Sequence, residues 1–109
     1  MERKVLGKIT SAKFGFVPDY PFLMGLQLHF KLADGCCVGD GGKYTVNVNK
    51  DCQWETMTRS EGLEWMVDKT KKILNDAKAD EVSKLVGKPV EVTLDSNCFK
   101  DFRILTEVL

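Results

Sequence analysis

Across residues 22–32 the chain alternates: Met24, Leu26, Leu28, Phe30 and Leu32 are separated by Gly25, Gln27, His29 and Lys31. A period of two sends one set to a core and the other to solvent, which predicts a half-buried antiparallel strand. Upstream, residues 5–16 read as a strand in two halves. Ala12, Phe14 and Phe16 fall on one parity and Val5 and Ile9 on the other, and a bulge near Ser11 reconciles them. The intervening Val17-Pro18-Asp19-Tyr20-Pro21 is turn chemistry, with two prolines that fix φ and lack a donor. A third strand is predicted over residues 43–49, with Tyr44, Val46 and Val48 on one face. Before it lies Asp34-Gly35-Cys36-Cys37-Val38-Gly39-Asp40-Gly41-Gly42, whose glycines make a loop or a distorted hairpin.

From Thr58 the period lengthens. Leu63, Met66, Val67, Thr70, Leu74 and Ala77 recur at three- and four-residue intervals, the pattern of an amphipathic helix ending near Lys78. Thr58 followed by Glu61 fits a capping box, and Asp80 suits the start of a short turn through Leu85. Gly87-Lys88-Pro89 stops that turn and launches a strand through Val90, Val92 and Leu94. Asp95-Ser96-Asn97 is a turn, and Phe102 to Val108 is predicted as the closing strand of a hairpin.

The resulting order, βββαββ, predicts an α+β fold: an antiparallel sheet with one main helix. Small OB-like Greek-key barrels use this order, and an open sheet packed on the helix satisfies it equally. Periodicity does not separate the two. With no repeat, linker or low-complexity run, residues 1–109 form one domain.

Composition narrows the partners. Hydrophobic residues at 43% and charged ones at 29% are the balance of a globular chain able to bury its own core. Sixteen basic and sixteen acidic side chains cancel, so neither the phosphate attraction of duplex nucleic acid nor that of an anionic membrane is expected. No apolar run approaches the roughly 20 residues that span a bilayer, and residues 1–8 lack the apolar core of a signal peptide. Cys36, Cys37, Cys52 and Cys98, two of them adjacent, read as free thiols in a reducing cytosol, which predicts a cytoplasmic protein.

Catalytic chemistry finds little purchase. His29 is the single histidine and lies on the polar face of its strand, so no Cys–His pair is indicated. Adjacent cysteines lack the spacing that presents two ligands to a tetrahedral ion, so no metal is expected. Asp34 and Asp40 flank the glycine loop, but Asp beside Gly is ordinary turn composition. No catalytic residue and no cofactor is predicted. The loop itself carries the strongest binding signal. Gly39, Asp40, Gly41, Gly42 and Lys43 offer unhindered backbone N–H groups and a lysine, as an anion-binding nest does. This is no phosphate-binding P-loop, because Lys43 leads into a strand and not a helix. Of the aromatics, Tyr20 beside its proline and Trp54 in a polar stretch look least like core, and they complete the predicted ligand-binding set.

Three segments carry a resemblance. Residues 7–15 (GKITSAKFG), Gly25-Leu26-Gln27-Leu28, and residues 85–93 (LVGKPVEVT) with the ending RILTEVL are similar to a group of small uncharacterised phage and prophage proteins. The likeness covers nearly the whole chain and brings no functional residues with it. It implies a small phage product inside a bacterial host, of a class that commonly binds a host defence protein or sequesters a signalling nucleotide. The expectation is a non-enzymatic binding protein in host counter-defence, occupying a host protein or capturing a small anionic, nucleotide-like ligand. The alternative is an OB-like accessory of phage replication or recombination that binds single strands through exposed aromatics. A homodimer is expected if a sheet edge lies unprotected.

Overall fold

The computed structural model describes residues 2–48 and 59–108. Strands β1 (Glu2–Val17) and β2 (Tyr20–Leu32) form a long antiparallel ribbon. Val17 and Tyr20 face each other across Pro18 and Asp19, whose φ of +67° gives the turn its type II character. Short strands β3 (Cys37–Gly39) and β4 (Thr45–Asn47) both line the far edge of β2. Helix α1 (Arg59–Asp76) follows, then a 3-10 turn at Val82–Leu85 and the hairpin of β5 (Pro89–Asp95) and β6 (Cys98–Ile104). A last 3-10 turn covers Thr106–Val108. The strand order is β3-β2-β1-β5-β6, all antiparallel, with β4 beside β3 on β2.

The bulge expected near Ser11 is present. Ile9 faces Phe30 and Ser11 faces His29, which leaves Thr10 as the extra residue. It brings Ile9 and Ala12 to the same core face despite their opposite parity. A bulge of this kind bends its strand and increases the local twist.

The core lies between the sheet and α1. Leu26, Leu28, Phe30 and Leu32 from β2 meet Val90, Val92 and Leu94 from β5, and Met66 and Ile73 of the helix, with Ala77 just past its end, close it. Gly25 permits the close approach on one side. A Cβ there would stand 2.3 Å from the Tyr44 carbonyl oxygen and 3.2 Å from Met66 Sδ.

The expected α+β architecture, an antiparallel sheet with one main helix, is present, with two details of the strands corrected. Of the two forms left open by the pattern it takes the open sheet and not the OB-like barrel. Its two margins meet through side chains, with Tyr44 and Phe30 packed on Phe99 and Phe102 where a backbone ladder would be needed. The closing strand runs over Cys98–Ile104 rather than residues 102–108, because Lys100 is bulged out between Phe99 and Asp101 and breaks the alternation. The glycine-rich segment contributes a strand of its own, so the order is ββββαββ, and the strand predicted over residues 43–49 is confined to Thr45–Asn47. Thr58, the predicted cap, lies outside the described residues.

Candidate functional site

The glycine loop is built around Asp40. Its side chain is buried, at 7% exposure, and both carboxylate oxygens are engaged: Oδ2 accepts the Leu28 N–H and Oδ1 the Gly42 N–H, each at 3.0 Å. The Lys43 N–H is donated to the Asp40 carbonyl at 3.2 Å and the Thr45 N–H to the Gly42 carbonyl at 3.1 Å. A carboxylate of the chain itself therefore takes the place an incoming anion would have among these donors. Lys43 reaches across to the opposite margin of the sheet and donates from Nζ to the Lys100 carbonyl at 2.6 Å.

Beside the loop lies an open depression of about 710 Å³, walled by Gly39, Gly41, Lys43 and, across the gap, Asp95, Phe99 and Lys100. The charges there are mixed, and the Lys100 ammonium is paired with Glu2. Tyr20 is not near it. It stands at the far end of β2, eight residues from Leu28 or about 26 Å along the strand, stacked edge-on against Phe22 with centroids 6.0 Å apart. Trp54 lies outside the described residues.

A second feature was not singled out from the sequence. β1 pairs with β5 only as far as Lys8, and the amide and carbonyl of Ile9 are taken by Lys88 and Gly87. Beyond that point, past the bulged Thr10, residues 11–17 pair with β2 on one side and with no strand on the other among the described residues. Along this bare edge, between Phe14 and the flank of α1, runs a groove of about 360 Å³ whose apolar lining is Phe14, Val67, Leu74 and Ala79. Val67 is 56% exposed and Phe16, two residues on from Phe14, 54%. Thr70 is satisfied within the helix by the Met66 carbonyl, and Asp80 at the rim is paired with Lys84 at 2.7 Å. Lys71 at the rim and Lys13 on the edge have no ion-pair partner among the described residues. The helix pattern held the signal: Val67 is surplus to the stripe that Met66, Ile73 and Ala77 bury, while Leu74 packs against the core with part of its surface left open.

A few side chains elsewhere ionise away from their ordinary values. The Cys36 thiol is pushed up by its hydrogen bond to Asp34, which disfavours the nucleophilic thiolate. Asp34 in turn is lowered by the backbone N–H of Cys36 at 2.9 Å. Tyr44 is pushed well up by burial and then by Asp101, whose Oδ1 accepts its hydroxyl at 3.3 Å. The described residues hold no group of three side chains suited to a metal ion, and His29 sits exposed on the polar face of β2. No family model, curated protein or solved structure matches the chain.

Proposed function

We propose that this chain is a non-enzymatic binding protein that occupies a partner protein by capturing an extended segment of it along the free edge of β1. The observation that carries the reading is the unpaired edge at residues 11–17 lying beside the apolar groove under α1. Edge strands left bare add strands; natural sheets blunt them with prolines, charges or bulges, and between the bulge at Thr10 and the register shift at Phe16/Val17 this edge carries only Lys13. An incoming strand would satisfy the β1 backbone and drop every second side chain into the groove. With Lys13 and Lys71 as the uncompensated charges, the segment this site suits alternates apolar with acidic residues. The phage resemblance supplies the context: a host protein held in this way is blocked, which is a mode of counter-defence.

The test is a fluorescein-labelled ten-residue peptide alternating Val or Phe with Glu, titrated with the protein and read by polarisation. Saturable binding is expected, with amide shifts at residues 11–17 and loss of affinity by at least about tenfold in Phe14→Glu and Leu74→Glu. The same peptide with a central proline should not bind, because proline cannot donate to the ladder. Absence of binding, or tighter binding of oligothymidylate at low salt, would overturn the reading.

A second occupant is favoured by one specific feature. The edge is self-complementary about Phe14: a two-fold axis there puts Lys13 opposite Gly15 of a second copy, so no like charges meet. Sedimentation velocity showing a dimer that Phe14→Glu dissociates would assign the edge to self-pairing.

The small anionic ligand has less support. The N–H groups of Asp40, Gly42 and Lys43 and the Lys43 ammonium are engaged within the chain, and the depression beside them carries both signs of charge. Calorimetry with a panel of cyclic and adenosine nucleotides is expected to show no heat.

A further inference from the structure

On the opposite face of the sheet, away from α1, β1 and β2 bring two lysines together. Lys8 and Lys31 are direct cross-strand partners, and like charges so placed repel. Neither has a carboxylate within ion-pair distance among the described residues. A partner strand with a neutral or acidic residue at either position would fold more easily, so the pair runs against what the sheet alone favours.

The two lysines stand over a trough of about 450 Å³, within the range of pockets that hold small molecules. Its other end is apolar: Leu6, 54% exposed, with Ala33, Pro89 and Leu105. Two backbone N–H groups at the apolar end are already used, the Ala33 N–H being donated to the Leu6 carbonyl and the Leu105 N–H to the Pro89 carbonyl. Gly7 lets the strands close beneath the trough, for a Cβ there would meet the Lys31 carbonyl at 2.6 Å. The charged groups of the lining are the two ammonium groups; Thr10 adds a hydroxyl, and the rest offers apolar contact.

We infer that this trough is a site for a small anionic amphiphile, with a carboxylate or sulfate head between Lys8 and Lys31 and an aliphatic body along Leu6, Ala33 and Leu105. An anion there relieves the repulsion between the lysines, so binding and stability are linked and the ligand raises the melting temperature. The site is separate from the β1 edge groove, and its failure would leave the reading of that edge untouched.

The experiment uses dodecanoate below its micellar concentration, followed by amide chemical shifts and thermal melting. Shifts centred on Leu6, Lys8, Lys31, Ala33 and Leu105 and a raised melting temperature are expected. Lys8→Ser with Lys31→Ser should weaken binding at least about tenfold, and Leu6→Ser should weaken it while leaving the fold intact. Dodecyltrimethylammonium should not bind there. Equal shifts from dodecanol and dodecanoate, or shifts confined to the Phe14 groove, would overturn the proposal. Sedimentation with phosphatidylglycerol vesicles without any response to dodecanoate would assign the face to a membrane surface and overturn the small-ligand site.

Discussion

Lys78 ends the helical region with a φ of +54°. The Ala79 N–H returns to the Leu74 carbonyl and the Lys78 N–H to Asn75, the double closure of a Schellman motif. The left-handed position usually belongs to glycine, since a Cβ there crowds the following carbonyl. Lys78→Gly is therefore expected to stabilise the protein by about 0.5–1 kcal/mol, measured by urea unfolding. Tyr44 makes the opposite kind of prediction. A phenol whose proton is held more tightly in the fold gives a contribution complete below pH 10, its ordinary value, and lost as pH rises above it. Stability should therefore fall faster above pH 10 in the wild type than in Tyr44→Phe, which loses one hydrogen bond, about 1 kcal/mol, at neutral pH. Asp40 shows why its role was not legible beforehand. The glycines around it are visible locally, but the Leu28 N–H that claims its carboxylate comes from another strand.

At the scale of elements, strands with an unbroken period were readable and those with a bulge were not, unless both parities carried clear apolar residues. In β1, Ile9 and Ala12 gave the bulge away. In β6 the bulge at Lys100 separates Phe99 from Phe102, and the even-numbered run of Phe102, Ile104 and Val108 imitates a strand shifted toward the C-terminus. The helix was legible in extent but not in rotation, because its apolar stripe is wider than the surface it buries. Sequence cannot say which apolar positions a sheet will cover, and the surplus became the groove. β1 as an element makes a direct prediction. Its outward-pointing amides over residues 11–17 should exchange with deuterium far faster than those of residues 26–32 in β2, which are laddered on both sides over much of that length. Capture of a strand-forming peptide should slow the outward amides selectively; uniform protection of β1 in the free protein would show the edge already covered.

For the whole molecule the governing fact is that the sheet curls until its margins nearly meet and is then joined by rings. Phe30 stacks on Phe99 at 5.4 Å and packs on Phe102 at 5.0 Å, while Tyr44 meets both edge-on. Lys43 and the Tyr44 hydroxyl add two polar ties to Lys100 and Asp101. Leaving the margins unbridged by backbone means that β6 is held by one ladder, to β5, and by these side chains. Phe102 is only partly buried, so Phe102→Ala should cost about 2–3 kcal/mol, below the range for a fully buried phenylalanine. A closed barrel would share that loss around its ring of strands, whereas an open sheet concentrates it. Amides of β6 should then exchange faster in Phe102→Ala while those of β1 and β2 keep their rates. If protection fell evenly across all strands instead, the rings would be part of one indivisible core, and β6 would not be the separable margin that the open sheet makes it.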